Sequence, residues 1–308
     1  KVMNKEVRIG TRDSELAVWQ ALKVKKMLSK IGINSSLSFI KSDGDINLTK
    51  PIYEIGIQGV FTKSLDSALL NDKIDIAVHS MKDVPTSLAS GISQGAILKR
   101  ESEQDVILTK TSFEKLNENS FIGTGSLRRK AQWLNKFKKH KIIPIRGNIN
   151  TRIKKLSKEN LDGIILSEAA IQRLKISDRI IKTLEWMIPA PAQGAIMIVL
   201  KSENHKLKKK ISLLNDKNTE ICTKIERDFL KTLEGGCSTP IGAFAKIKDN
   251  QIIFKAGIFS LCGSKKITIS KKNIDIKFKD LGQKVANDLL VSGAKELIDD
   301  FKNDINGL

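Results

Sequence analysis

The chain has 308 residues, of which 40% are hydrophobic, and this is enough for two or three domains with packed cores. No apolar run approaches the length that spans a bilayer, and the first residues lack the apolar region of a signal peptide, so neither a membrane protein nor an exported protein is expected. Three irregularly spaced cysteines fit a reducing compartment. We predict a soluble cytoplasmic protein; a removed organellar transit peptide stays open, because the chain begins at Lys1.

The net charge of +20 comes from 54 basic and 34 acidic side chains. Only ten of the basic side chains are arginines, which leaves 44 lysines. The lysines are dispersed, and runs such as residues 206–210 are typical of solvated surfaces. A guanidinium presents a rigid fork that matches a carboxylate or a phosphate, whereas an ammonium is a flexible point charge. The few arginines therefore indicate where planar oxyanions bind.

The first arginine of interest follows a predicted strand. Residues 7–11 alternate as a strand does, and Arg12 precedes a helix whose apolar residues recur at spacings of three and four. Further along, residues 73–78 predict a buried strand that runs into a loop at residues 79–85. This loop carries Asp83, so an acid is expected at the same sheet edge as the arginines.

Two more junctions have the same form, in which arginines follow a strand and lie at or near the start of a helix. They are residues 121–124 before Arg128 and Arg129, and residues 141–145 before Arg146 and Arg152. In open α/β sheets, ligands bind beyond the carboxyl ends of the strands, where helix N-termini supply N–H groups. We therefore expect a ligand with several anionic groups.

The last third of the chain has a different character. Strand and helix alternate up to about residue 200, where residues 195–200 predict a returning strand, and this alternation is typical of α/β domains. Beyond it, short strands and helices predict a small α+β domain. The predicted elements are a helix at 221–233, strands at 243–247, 251–257 and 265–269, and helices at 281–290 and 294–301.

Cys237 lies in a glycine-rich stretch at residues 234–242. The three cysteines cannot all pair, and their spacing is not that of a zinc site. A lone thiol on a glycine loop suggests a covalent attachment point, and a small thiol buried behind a turn is the alternative.

Asp83 also has two interpretations. It could be a turn residue before Pro85, but a turn does not require cations on neighbouring strand ends, so a functional carboxylate is favoured. The three histidines are far apart in the chain, and His79 is interpreted as a packed loop residue. No metal site is predicted.

Four separated motifs, in order along nearly the whole chain, resemble the hydroxymethylbilane synthase family, also called porphobilinogen deaminase. They are residues 79–85, residues 123–129, residues 145–148 with Thr151 and Arg152, and the Cys237 loop. The resemblance implies two α/β domains like those of type II periplasmic binding proteins, with two crossings of the chain between them, and a small C-terminal α+β domain. The implied domains are residues 1–98 with 195–214, residues 99–194, and residues 215–308.

The resemblance also implies an activity. Members of the family join four porphobilinogen molecules, with release of ammonia, onto a dipyrromethane cofactor held by a cysteine through a thioether. They then release the linear tetrapyrrole hydroxymethylbilane for haem biosynthesis. A monomer is expected, with porphobilinogen as its small-molecule partner and without a nucleic-acid or membrane partner.

The residue roles are implied by position in the motifs. Cys237 matches the cofactor cysteine, and Asp83 matches the catalytic aspartate, which also binds the cofactor. Asp83 would stabilise positive charge on the substrate or move protons, and both roles stay open. The other cofactor-binding positions are Lys82, Thr124, Ser126, Arg128, Arg129 and Arg146. The substrate-binding positions are Arg12, Ser14, Ser80, Arg152 and Arg173.

The chain departs from the family pattern at three places. Gly125 stands where a serine is usual, which removes a hydroxyl that would contact a carboxylate. Residues 55–63 resemble the active-site loop but carry Gln58 and Val60 in place of lysine and leucine. Glu168 would be unfavourable beside an anion site unless it is turned away, and it makes Arg173 the weakest of the matches.

Two other classes of protein would explain part of the sequence. A non-catalytic anion-binding protein would explain the arginines, but it would need neither Cys237 nor Asp83. A nucleic-acid-binding protein would explain the net charge, but the chain has one tyrosine, no aromatic stacking platform and no recognised reading motif.

Overall fold

The structure is a computed structural model that describes residues 6–41, 59, 62–177, 180–236 and 239–306. Cys237, Gln58 and Val60 lie outside these described residues. The strands are β1 Val7–Thr11, β2 Ser35–Phe39, β3 Ile76–Ser80, β4 Ile92–Ile97, β5 Asp105–Thr109, β6 Phe121–Gly123, β7 Lys141–Ile143, β8 Gly163–Ser167, β9 Ile180–Thr183, β10 Ile196–Lys201, β11 Ile241–Lys248, β12 Gln251–Phe259 and β13 Lys266–Asp275. The α-helices are α1 Glu15–Lys30, α2 Lys63–Leu70, α3 Leu127–Lys136, α4 Ile149–Lys158, α5 Glu168–Arg173, α6 His205–Ile211, α7 Lys217–Thr232, α8 Leu281–Leu289 and α9 Lys295–Asn306.

The first sheet has the strand order β2-β1-β3-β10-β4. Strand β1 is parallel to β2 and β3, and β10 is antiparallel to β3 and β4. Successive residues of β10 enter two different cores, since Ile198 packs with Leu28 on one face and Met197 packs with Leu69 on the other. Burial on both faces explains why β10 is an unbroken apolar run.

The second sheet repeats this arrangement with the order β7-β6-β8-β5-β9. Here β6 is parallel to β7 and β8, and β5 is antiparallel to β8 and β9. The chain leaves the first sheet after β4 and returns to it with β10, so two crossovers connect the sheets. The predicted arrangement of two α/β units followed by a small α+β unit is confirmed.

The third sheet is antiparallel, with the order β11-β12-β13. It packs against α7 and α8, and the rings of Phe229 and Phe254 meet edge to face with centroids 5.6 Å apart. Helix α7 thus belongs to the third unit and leads directly into the glycine-rich stretch before Cys237.

A buried ion pair joins the third unit to the crossovers. Glu226 of α7 is fully buried and accepts hydrogen bonds from Arg100 Nη1 and Nη2 at 2.6 and 3.0 Å. The same carboxylate accepts from the backbone N–H groups of Ala192 at 2.6 Å and Ala245 at 2.8 Å. Because these donors all bond one carboxylate, Glu226 fixes both crossovers and β11 to one point of α7.

Several element boundaries differ from the prediction. Strand β3 ends at Ser80, so His79 lies in a strand and the prediction of a loop residue is wrong. Strand β7 ends at Ile143, because Pro144 has no N–H group to continue the ladder. Strand β13 ends at Asp275, six residues beyond the predicted end at residue 269, and it shifts register against β12. In the described parts of the chain, none of the helices combines the length and the hydropathy that crossing a membrane requires.

Candidate active site

A cavity of about 540 Å³ is lined by residues from all three sheet units. It brings together most of the residues that the sequence analysis singled out. These are Arg12, Ser14, Ser80, Lys82, Asp83, Ser126, Arg128, Arg129, Arg146, Arg152 and Arg173. Thr124 does not line the cavity; it is buried behind the wall, where its Oγ1 accepts a hydrogen bond from the N–H of Ser126 at 3.2 Å.

Cys237 lies outside the described residues, but its chain neighbours place the glycine-rich stretch at the cavity. Gly235, Gly236 and Thr239 all line it. No atom lies within 4 Å of the position that a Cβ on Gly236 would occupy. The chain therefore faces open space immediately before Cys237.

The first-sheet side of the cavity is formed where β1 and β3 end. Ser14 is the N-cap residue of α1, and no side-chain capping hydrogen bond occupies its hydroxyl. Ser80, at the end of β3, accepts a hydrogen bond from Gln20 Nε2 at 2.8 Å. Lys82 and Asp83 follow on a single 3₁₀ turn, Met81–Asp83, which carries both charges to the cavity wall.

The second-sheet side is formed by the N-termini of α3 and α4. Ser126 caps α3 and accepts from the N–H of Arg129 at 3.4 Å, and Asn148 caps α4 and accepts from the N–H of Thr151 at 2.9 Å. A Cβ on Gly125 would lie 2.6 Å from the carbonyl oxygen of Ile145. In this chain, a serine at position 125 would require the connection after β7 to move.

Asp105 is a site residue that the sequence analysis missed. It is fully buried at the start of β5 and accepts hydrogen bonds from Arg128 Nη1 at 2.7 Å, Arg129 Nε at 2.8 Å and Gln193 Nε2 at 3.1 Å. Burial by itself would raise the pKa of Asp105, but the charges of Arg128 and Arg129 hold it well below its usual range. The carboxylate is therefore ionised and fixes the direction of both guanidinium groups.

The arginine pair also donates hydrogen bonds to the backbone, and Arg128 Nη2 donates a second bond to Asp105 at 3.2 Å. Arg128 Nη1 also donates to the carbonyl of Ile188 at 2.9 Å, and Arg129 Nη1 donates to the carbonyl of Ile165 at 3.1 Å. Both side chains are more than nine-tenths buried, so they form a rigid part of the cavity wall. Some of the N–H groups of each guanidinium already bond acceptors of the protein itself.

Asp83 lies in the electrostatic field of cations from both sides of the cavity. Burial lowers the pKa of Lys82 to about 8, with Arg129 acting in the same direction and Asp83 against it. Burial, together with the charges of Arg129 and Arg146, lowers the pKa of Arg152 to about 10, and Asp83 again opposes the shift. The charge of Asp83 thus acts on Lys82 of its own turn and on Arg129 and Arg152 of the second sheet unit.

Arg173 connects the two lobes. Its Nε donates to Glu101 on the first crossover, and its Nη2 donates to the carbonyl of Gly194 on the second at 2.9 Å. Its guanidinium also lies 5.5 Å from the centroid of the Trp19 ring on α1. Arg173 thus lines the cavity and is also hydrogen-bonded to both crossovers.

The side chain of Glu168, whose negative charge would be unfavourable beside an anion site, is turned away from the cavity. Its carboxylate accepts hydrogen bonds from Ser102 Oγ and from Thr183 Oγ1, the latter at 3.3 Å, and it does not line the cavity.

The other ionisable groups narrow the choice of reactive side chains. Burial raises the pKa of the Cys222 thiol to about 12, so this thiol is unreactive. Cys262 is on an exposed turn that does not contribute to the cavity. Burial and the charge of Arg12 lower the pKa of His79 to about 4, so His79 is neutral. Among the described residues, no group of acidic, histidine and cysteine side chains has the arrangement of a metal site.

The charge of the cavity is strongly positive. Eight cationic side chains and three acidic ones contribute to its described lining. The cations are Arg12, Lys82, Arg128, Arg129, Arg146, Arg152, Arg173 and Arg227, and the acids are Glu15, Asp83 and Glu234. A ligand that carries several carboxylates matches this surface.

The fold and this site define a three-unit protein in which an anion-binding cleft between two α/β lobes also holds an acid. Residues 7–209 match the family model of the porphobilinogen deaminase, dipyromethane cofactor binding domain, and residues 220–291 match that of the porphobilinogen deaminase C-terminal domain. The chain belongs to the porphobilinogen deaminase family. Its activity is therefore the polymerisation of porphobilinogen in tetrapyrrole biosynthesis, and the two rival classes of protein are set aside.

Relatives cover the chain from end to end. The porphobilinogen deaminase of Carboxydothermus hydrogenoformans is 39% identical over 99% of this chain and 100% of its own length. The porphobilinogen deaminase of Chlorobium phaeobacteroides is 38% identical over 97% of this chain and 99% of its own length.

Solved structures with low sequence identity are also similar. They include the methionine-binding protein MetQ, with 10% identity, a TM-score of 0.44 and coverage of 68% of this chain and 89% of that chain. An arginine transport periplasmic binding protein from Legionella pneumophila has 14% identity, a TM-score of 0.40 and coverage of 68% and 91%.

Proposed function

We propose that Cys237 holds the dipyrromethane cofactor through a thioether bond and that the cavity is where porphobilinogen units are added, with Asp83 as the catalytic carboxylate. The observation that carries this proposal is the cavity itself, which is lined by eight cationic side chains, by Asp83 and by the neighbours of Cys237. The location in the cytoplasm and the monomeric state are predictions from the sequence.

The residues present fit a dipyrromethane. The space beside Gly236 leaves room for a group attached to the next residue. Each pyrrole of this group carries an acetate and a propionate, and the guanidinium groups of Arg128, Arg129 and Arg146 can donate hydrogen bonds to such carboxylates. When bound, the cofactor supplies the pyrrole carbon at which chain growth starts.

The arginines align the substrate. A hydrogen bond to a charged group contributes about 1.5–3 kcal/mol, so several such bonds hold a porphobilinogen unit in one register. Arg12 and Arg152 approach the cavity from opposite lobes and are suited to grip the two carboxylates of an incoming unit. Lys82 adds a positive charge next to Asp83 that disappears as the pH rises above about 8.

Asp83 provides the chemistry. Ammonia leaves the aminomethyl group of the substrate with the bonding electron pair, and the carbon left behind becomes electron-poor. A carboxylate fixed beside this carbon stabilises the positive charge without reorganisation at the moment of reaction. In a cavity this rich in cations, Asp83 is an acid whose charge acts on Lys82, Arg129 and Arg152.

The attachment is tested by the intact mass of the purified protein. We expect the mass to exceed that of the sequence by one dipyrromethane group, and we expect the Cys237→Ala variant to lack this excess. Cys262→Ala is the matched control, since Cys262 is exposed and outside the cavity, and it should keep the added mass. A fully active protein without added mass would refute the assignment of Cys237.

A further inference from the structure

Helix α7 contacts three functional parts of the molecule. At Glu226 it is fixed to both crossovers, and its C-terminal end leads into the glycines that line the cavity before Cys237. The residue after Glu226 is Arg227, whose side chain projects in a different direction because successive helical residues are about 100° apart. Arg227 reaches the turn that carries Asp83 in the first sheet unit.

The contacts of Arg227 lie on both sides of Asp83. Its Nη1 donates to the carbonyl of Val84 at 2.8 Å and to that of Met81 at 3.4 Å, and its Nη2 donates to the carbonyl of Pro85 at 2.5 Å. One planar fork thus spans the residues that precede and follow Asp83. Hydrogen bonds from a charged donor are about twice as strong as neutral ones.

The turn has little internal support. It is a single 3₁₀ turn whose backbone closes with one hydrogen bond, from the N–H of Val84 to the carbonyl of Met81 at 3.1 Å. The hydrogen-bond geometry of such turns is poor, and Pro85 has no N–H group with which to extend it. The direction of the Asp83 carboxylate therefore depends on contacts from outside the turn, and Arg227 provides three.

We propose that Arg227 is a positioning residue, which holds the Met81–Pro85 backbone so that the Asp83 carboxylate faces the reacting carbon. The anchor of the growing chain and the catalytic carboxylate are then set by the same helix, although they belong to different sheet units. This inference rests on the role proposed for Asp83.

The main variant is Arg227→Met, which keeps the length of the aliphatic stem and removes the fork. Arg227→Lys is the conservative variant, because it keeps the charge but cannot bridge three carbonyls. Lys231→Met is the matched control, with the same change of charge at an exposed position of the same helix. Intact mass first confirms that each protein carries the cofactor.

Single-turnover ammonia release and steady-state kinetics are then measured. We expect Arg227→Met to lower kcat about 10- to 100-fold, the scale of misplacing a catalytic group by about 1 Å, with little change in KM. The kcat of Arg227→Lys should lie between those of Arg227→Met and the parent protein, and the kcat of Lys231→Met should equal that of the parent protein. In cofactor-loaded Asp83→Asn, adding Arg227→Met should cost nothing more, because the two residues act as one unit.

Other results would overturn the proposal. A raised KM with normal kcat would make Arg227 a substrate-binding residue, and multiplicative effects in the double variant would show that it acts independently of Asp83. A normal rate in Asp83→Asn alone would refute the role of Asp83 instead, which separates the two hypotheses. If the Arg227 variants do not load the cofactor, amide hydrogen exchange of the peptide around Asp83 tests the proposal. We expect faster exchange in these variants than in the parent protein, and unchanged exchange would contradict the proposal.

Discussion

The two sides of the cavity hold their charges in different ways. On the second-sheet side, Arg128 and Arg129 are fixed by the buried carboxylate of Asp105. On the first-sheet side, Asp83 lies on a short turn held from outside by Arg227. Arg128 and Arg129 are therefore built into the core of their own sheet unit, whereas the carboxylate proposed to be catalytic depends on contacts between units. Stability and chemistry should therefore respond to different substitutions.

The largest expected effect is on stability, at Asp105. The Asp105→Asn substitution leaves two buried guanidinium groups without their counterion, which should lower the free energy of unfolding by about 3–5 kcal/mol. Because the pKa of Asp105 is lowered, its contribution is present above the unfolded pKa of about 4 and is lost as the pH falls below it. Denaturant unfolding of the parent protein and of Asp105→Asn, at neutral and acidic pH, measures this loss of free energy and its pH dependence.

The control for Asp105 is Asp72→Asn. Asp72 forms an exposed ion pair with Lys201, and such pairs contribute about 0–1 kcal/mol. Equal losses of unfolding free energy in Asp72→Asn and Asp105→Asn would contradict the idea that the buried ion pairs of Asp105 stabilise the fold.

The second expected effect is on chemistry, at Asp83. The Asp83→Asn substitution keeps the size of the side chain but removes its charge, so the loss of about 3–4 kcal/mol of charge stabilisation should slow ammonia release about a hundredfold to a thousandfold. The melting temperature should change little. Near-normal release from cofactor-loaded protein, together with a lower melting temperature, would indicate that Asp83 only forms the turn.

The third expected effect distinguishes arginines that bind the cofactor or substrate from arginines that also stabilise the fold. The Arg146→Leu substitution removes charged hydrogen bonds of about 1.5–3 kcal/mol each, so cofactor assembly or substrate affinity should fall about tenfold to a hundredfold. Lys209→Ala, in the dispersed lysine run, should change neither. The Arg128→Leu substitution should also destabilise the fold, because it breaks the pair with Asp105. Equal binding effects at Arg146 and Lys209 would favour a diffuse electrostatic role.

The smallest effect concerns the pH dependence of Lys82. Its pKa of about 8 means that the ammonium loses its charge as the pH rises through this value, so kcat/KM should decline above about pH 8. The Lys82→Arg variant stays charged and should not show this decline. The pH profiles of the two proteins provide the comparison, and identical profiles would show that another group titrates.

Sequence patterns predicted the local parts of this site well. The junctions at Arg12, at Arg128 and at Arg146 follow from apolar periodicity and from the breaks between strands and helices, which depend on neighbouring residues. The motifs predicted the fold class and the family. The boundaries of the three domains and the roles of single residues stay predictions.

Only the tertiary structure revealed the partners of these residues. Asp105 is an acid at the start of an apolar strand, and nothing near it in the chain indicates that Arg128 and Arg129 will surround it. Glu226 and Arg227 are adjacent on one helix, yet one fixes the crossovers and the other holds the Asp83 turn. Such pairs are made by contacts between residues far apart in sequence. Periodicity and local propensity describe one element at a time, so they determined where charges lie along the chain, and packing decided which charges meet.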